Sequence, residues 1–365
     1  MTPEDQERLE ACTLEIAEIL YRNAESKNAL QLKTLEGIEL AVREEVLENV
    51  SPKIGFFFAK KSSGTKAGKE RHLKSCIGNL TITSKQAKRL QVKARSRISP
   101  HLEKCCLLVS ANESYEKTVE NVKQLTGMEV SHSSQQRYVQ RHDFPEVVVS
   151  ETVEEASLDG GKVRLRTAKG LKSEWKDYKA VTLHGQAVAA YFLDNPALIN
   201  WVNQQPFAEI VSCLGDGHDG IWSLFKQMLP SEQRFELLDW YHLKEHLYAV
   251  GGSLRRLQKA EKLLWEGDVE KVISLFSDCK FKRAINFVDY ITKHRKRIPE
   301  YGYLQQLGLT IGSGSVESSI KQIGRRIKIS GAQWKKENVA QVLKHRCSYL
   351  NGYLYSPEYK YSEIS

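Results

Sequence analysis

Apolar positions recur at helical spacing over the first fifty residues, and the period of the pattern then changes along the chain. Leu9, Cys12, Ile16, Ile19 and Leu20 predict one amphipathic helix, which Thr2 can cap and Pro3 can begin; Leu35, Ile38, Val42 and Val46 predict a second after Thr34. Residues 1–50 are therefore read as two helices with packing or self-association faces. Ser99-Pro100 starts another helical stretch through Leu108, and Ser114 to Leu125 forms the next, with Val119, Val122 and Leu125 on one face. Thr126-Gly127 breaks it, and Ser134 to Arg141 reads as a short helix.

From Val147 the period becomes that of strands. Val147–Val149, Ala156–Leu158, Val163–Arg166 and Tyr178–Leu183 are short β-type runs separated by Asp-Gly-Gly and polar turns, consistent with a three-stranded antiparallel start. Ile210–Leu214 is apolar but for Ser212, as a buried parallel strand should be. A helix over Ile221–Leu229 and a fifth strand over Phe235–Asp239 follow, and His242 to about Pro299 is almost wholly helical. Two last helices are expected at Val316–Lys328 and Glu337–Leu350. The expected class is α/β: a ribonuclease H-like core with a mixed five-stranded sheet, an all-helical insertion and a helical N-terminal DNA-binding region. The segments are 1–50, a basic linker or DNA-contacting stretch at 51–98, and a helix-turn-helix-like region at 99–145. The core occupies 146–242 and 312–350, the insertion 243–311 and a C-terminal tail 351–365.

Charge changes the picture once it is located. Between Lys60 and Arg97 twelve Lys or Arg residues face one acid, Glu70, so this stretch carries +11 of a net +9 and leaves −2 for the rest of the 365 residues. A block this dense repels itself and is stabilised by a polyanion, because each phosphate neutralised releases condensed counterions. Lys85, Lys88, Arg89, Lys93, Arg95 and Arg97 are candidates for DNA contact. Gln135, Gln136, Arg137 and Arg141 give the short helix the side chains that match base edges and phosphates, and Arg325, Arg326 and Lys328 add a third basic group.

Three acids carry the candidate chemistry. Asp159 and Asp216 each end an apolar run at a glycine, and Glu317 opens a basic helix. Carboxylates held at strand ends can bridge metal with little ordering cost, and oxygen-only ligands favour Mg²⁺ or Mn²⁺. Two such ions would activate an attacking oxygen and stabilise a leaving oxygen at phosphorus. A competing cluster is His242-Leu-Lys-Glu245-His246, the His-x-x-Glu-His spacing of the inverted zinc peptidases. That reading leaves Asp159, Asp216 and the basic block without roles. The seven cysteines include no Cys-x-x-Cys pair and are read as reduced, mostly buried thiols.

Several phrases occur in a telling order: Ser99-Pro-His-Leu-Glu, Thr126-Gly-Met-Glu-Val-Ser-His-Ser, Leu158-Asp-Gly-Gly-Lys-Val-Arg, Gly215-Asp-Gly-His-Asp-Gly-Ile-Trp, Leu238-Asp-Trp-Tyr-His-Leu-Lys-Glu-His-Leu and Gly312-Ser-Gly-Ser-Val-Glu-Ser. Over about Ile98 to Leu350 the chain thereby resembles bacterial insertion-sequence transposases of the ISKra type, related to the Mutator-like DDE transposases. The resemblance implies Asp159, Asp216 and Glu317 as catalytic and metal-binding acids, with Asp239 and His242 as a supporting pair. It also implies binding to terminal inverted repeats, strand cleavage, and transfer of a 3′-hydroxyl into target DNA. His218 departs from the family's usual Gly-Asp-Gly-Ala, and the first hundred residues match less well.

The partners expected are DNA ends, target DNA and a second copy of the chain, since an element has two ends to bring together. A non-enzymatic DNA-binding protein descended from a transposase is the alternative. No apolar run has the length of a membrane span, and the acidic opening lacks the start of a signal peptide, so a cytoplasmic, nucleoid-associated protein is expected.

Overall fold

A computed structural model describes residues 1–312, 314–356 and 359, without the side chains of 314–320. The chain forms two compact units, Met1–His142 joined by Tyr359, and Asp143–Glu358. Among the described residues no helix is long and apolar enough to cross a membrane.

The first unit opens with α1 (Pro3–Asn28) and α2 (Leu35–Glu45). Thr2 caps α1 by accepting the Asp5 N–H, and Thr34 caps α2 by accepting that of Gly37. No residue of α1 is buried, and Leu9, Leu14 and Ile19 lie exposed along it. α3 (Ser51–Ser63) leads into a hairpin of β1 (Glu70–Ser75) and β2 (Gly78–Thr83), followed by α4 (Ser84–Arg89). The basic block is thus folded rather than a linker: β1 and β2 pair over their full length, with Leu73 and Ile82 packed on Ala87. α5 (Pro100–Ser110), α6 (Tyr115–Thr126) and α7 (His132–Arg141) pack together over Ile98, Leu102, Cys106, Val122, Met128 and Val130. Gly127 ends α6 with φ +74, a left-handed conformation that glycine adopts without steric cost.

In the second unit β3 (Val153–Leu165), β4 (Glu174–Leu183), β5 (Ala187–Phe192), β6 (Phe207–Gly215) and β7 (Arg234–Leu238) form one mixed sheet in the order β5-β4-β3-β6-β7. β3, β4 and β5 are antiparallel neighbours, while β6 and β7 run parallel to β3. α8 (Asn195–Asn203) and α9 (Asp219–Met228) make the crossovers into and out of β6. α10 (Trp240–Val250), α11 (Leu254–Trp265), α12 (Val269–Leu275), α13 (Lys282–Lys293) and α14 (Tyr301–Gln306) build the helical region, whose Trp240 ring meets Trp265 at 4.9 Å and Tyr301 at 5.0 Å. The Tyr301 hydroxyl donates to Leu238 O at 2.7 Å, tying this region to the end of β7. α15 (Gly314–Ile327) packs on β3 and β4, and α16 (Lys336–Leu350) on β5. Asn351 closes the outer edge of β5 by accepting the Val188 N–H and donating to its carbonyl, both at 2.9 Å.

Three strand expectations change. Val147–Val149 lies outside the sheet, its backbone held by Trp201 Nε1 on Val147 O and by Gln205 Oε1 on Val149 N–H. The runs at 156 and 163 are one strand: Asp159-Gly160-Gly161 is no turn, because β4 pairs with each of these residues. Gly161 instead makes room for Tyr178, whose ring atoms would lie 2.5–2.6 Å from a Cβ. β5, with its small residues, completes the antiparallel part of the sheet.

Candidate active site

The register of the parallel strands brings three aspartates level. Leu158 pairs with Gly215 and Gly215 with Leu238, and the residues that follow are Asp159, Asp216 and Asp239. Asp239 N–H donates to Gly215 O at 2.9 Å, extending the ladder by one step. β6 and β7 end here while β3 continues against β4, so Asp159 stands in mid-strand where its parallel neighbours stop, rather than at a strand end.

Asp159 is half-buried, and its Oδ1 accepts the Gly160 N–H at 2.5 Å. Burial raises its carboxyl above the ordinary range, the Gly160 N–H opposes this, and the charge of Asp216 raises it further. His242 and Lys179 act on it in the opposite sense, so Asp216, His242 and Lys179 all lie within electrostatic reach of Asp159. Lys179 was not singled out in the sequence. It faces Gly160 across the β3–β4 ladder, and its Nζ would lie 2.9 Å from a Cβ there.

Asp216 Oδ1 accepts the His218 N–H at 2.9 Å, and the Asp216 carbonyl accepts the Tyr290 hydroxyl at 3.3 Å. Gly217 has φ +92 and a Cβ there would lie 2.5 Å from Tyr290 Oη, so only glycine lets α13 approach this loop. His218, the departure from the family phrase, turns its Nδ1 to the Gly220 N–H at 3.1 Å and caps α9. Asp239 caps α10: its Oδ1 accepts the His242 N–H at 2.9 Å and lies 3.5 Å from His242 Nδ1. Beside that carboxylate the imidazole is raised to about 9, with Asp216 adding to the effect.

The chain entering α15 is fastened at the same place. Trp240 N–H donates to Ile311 O at 3.0 Å, and Thr310 N–H to Glu155 Oε2 at 2.8 Å. His184 joins Thr310 Oγ1 at 3.1 Å and Ser157 Oγ at 2.6 Å. Gly312 abuts Asp239, whose Oδ1 would be 3.5 Å from a Cβ at that position. Glu317 follows in the first turn of α15, and its carboxylate lies outside the described residues. Among the described residues the carboxylates of Asp159, Asp216 and Asp239 do not gather within 4.8 Å as a trio.

His246, the second imidazole of the His-x-x-Glu-His spacing, stacks on Tyr290 with ring centroids 4.4 Å apart, and His242 is paired with Asp239. The two therefore serve different neighbours.

The basic candidates divide by face. Lys85, Lys88, Arg95, Arg97, Arg137, Arg325 and Lys328 are exposed, as is Arg89, although one of its guanidinium nitrogens donates to Ser63 O. Gln136 is half-buried. Four expectations are corrected. Gln135 is fully buried and donates to Val130 O at 3.1 Å, so it packs α7 instead of reading bases. Arg326 is buried with its guanidinium 4.9 Å over the Trp334 ring. Lys93 and Arg141 converge on the buried Glu103, at 3.7 and 2.7 Å, and act as its counter-ions. The signal for Gln135 and Arg326 was present: Gln135 is one turn before the buried Val139, and Arg326 adjoins the buried face of Ile323 and Ile327.

No protein-family model matches the chain, and no curated protein matches it.

Proposed function

We propose that this chain is a DDE-type DNA transposase with a ribonuclease H-like core, which cleaves strands at the ends of an insertion sequence and joins a 3′-hydroxyl to target DNA. The observation that carries the reading is the level register of Asp159 and Asp216 on neighbouring parallel strands, beside the start of the helix that bears Glu317. Holding two carboxylates together in a half-buried position raises their mutual repulsion, which a divalent cation relieves. Oxygen donors fit Mg²⁺ or Mn²⁺. Asp159, Asp216 and Glu317 would hold the ions, two in number, which when bound would activate the attacking oxygen and stabilise the leaving one.

The other residues of the site position these groups. Asp239 fixes the start of α10 and the orientation of His242, whose positive charge near Asp216 and Asp159 suits a site for phosphate. Tyr290 holds the backbone of Asp216, and the exposed cations Lys85, Lys88, Arg95, Arg97, Arg137, Arg325 and Lys328 supply phosphate contacts. The protein would act as a dimer or larger assembly on DNA in the bacterial cytoplasm, at the nucleoid.

The test is strand cleavage and transfer on DNA carrying the inverted repeats that flank the reading frame, with Mg²⁺ or Mn²⁺. Asp159→Asn, Asp216→Asn and Glu317→Gln should each abolish the reaction while DNA binding persists. Undiminished cutting by all three variants would overturn the reading, and salt-sensitive DNA binding with no cleavage under either metal would favour the non-enzymatic alternative.

A further inference from the structure

Three side chains with no part in the proposed reaction meet within the N-terminal unit. Cys76 occupies the turn between β1 and β2, while His101 and Cys105 stand one helical turn apart on α5 and so share a face. One ligand atom from each lies within 4.8 Å of the other two. The backbone fixes the meeting: Lys74 N–H donates to Arg97 O at 3.0 Å and Ser99 N–H to Lys74 O at 2.7 Å, fastening the end of β1 to the start of α5. Gly78 leaves the turn no slack, since a Cβ there would lie 2.2 Å from Leu47 O. On the adjoining face of α5, Leu102 and Cys106 are buried in the core, and Cys76 packs against the same cluster, which holds the helix and the turn together.

We propose that Cys76, His101 and Cys105 bind a single Zn²⁺ through two thiolates and one imidazole, with water in the fourth position. Two sulfurs and a ring nitrogen make a donor set that suits zinc and is too soft for magnesium. Cys106, the next residue after Cys105, is buried in the core and stands outside the site. A groove lined by Arg43, Leu47, Leu125 and Thr126 opens onto the site and admits the water. The ion would staple the tip of the basic hairpin to the first turns of α5. None of Asp159, Asp216 or Glu317 takes part, so this inference and the transposase reading stand or fall separately.

Titration of the reduced, full-length protein with Co²⁺ tests it. One equivalent should produce a thiolate-to-cobalt charge-transfer band and the intense d–d bands of a four-coordinate site, and Zn²⁺ should bleach both. Cys76→Ser and Cys105→Ser should abolish the bands, His101→Ala should weaken or shift them, and Cys12→Ser should leave them unchanged. Should the ligand variants fail to fold, melting of the unaltered protein decides: zinc added after chelation should raise its Tm, and an unchanged Tm overturns the proposal. Absence of cobalt bands in the folded, reduced protein would also overturn it, as would bands that survive Cys105→Ser. A Cys76–Cys105 disulfide in the isolated protein, with no metal taken up after reduction, counts against it equally.

Discussion

Asp239 meets His242 through a single oxygen, Oδ1, which accepts the backbone N–H at 2.9 Å and sits 3.5 Å from the ring Nδ1. Asparagine keeps the capping acceptor and loses the charge, whereas alanine loses both. In urea unfolding Asp239→Ala should therefore be less stable than Asp239→Asn by about 1 kcal/mol, the usual worth of an N-cap. Equal midpoints for the two would show that the cap contributes nothing.

Gly161 owes its place to the Tyr178 ring rather than to a turn. Gly161→Ala should cost about 1–3 kcal/mol, the range for overpacking a close contact. Tyr178→Ala in the same chain should relieve the clash, so a double-mutant cycle should show the pair losing less than the sum of the two singles. Strict additivity would mean that the ring is not the obstacle.

Arg326 and Lys328 are two residues apart and should behave oppositely. Arg326→Ala empties a buried site over Trp334 and should destabilise the second unit by roughly 2–4 kcal/mol. Lys328→Ala should leave stability within about 0.5 kcal/mol and, if the residue meets phosphate, lower the salt slope of DNA binding by about 1. Thermal melts combined with binding isotherms at several salt concentrations would separate the two effects. A DNA-binding defect in a fully stable Arg326→Ala protein would reverse this assignment.

His142 should make stability depend on pH. Burial first, then the cations Lys93 and Arg141, push it from the ordinary 6.5 down to about 4. Between those values the unfolded chain takes up a proton that the folded chain does not. The stabilisation is thus fully present above pH 6.5 and is lost as the pH falls towards 4, to a limit of about 3 kcal/mol. Denaturation midpoints followed from pH 7 to 4 should show this slope, and His142→Gln should flatten it.

How much could be read in the sequence depended on whether a residue's setting was local. Asp216 and Asp239 follow apolar runs that are strands, so their positions were legible from the runs alone. Asp159 was found for a partly mistaken reason: Asp-Gly-Gly resembles a turn in isolation, and only the pairing of β4 keeps it extended. The hairpin inside the basic block was invisible because β1, Glu70–Ser75, has Leu73 as its one strongly apolar residue, and its stability comes from contacts with Ile82 and Ala87. Residue type misled where facing decided the outcome, as for Gln135 and Arg326, and the meeting of Cys76 with Cys105 has no local spacing to announce it.

The hydrogen bond from Trp240 N–H to Ile311 O joins the two ends of the long helical excursion at a single point. To the sheet, everything from α10 to α14 is therefore a closed loop, and lengthening such a loop costs only slowly rising entropy. Its outer helices should tolerate exchange, provided that the chain leaves and returns through this gate and that Tyr290 and Tyr301 still reach back to Asp216 and Leu238. On the proposed reading, the separation of Asp216 and Glu317 along the sequence is free to vary with this loop, while the fastening of its two ends is not.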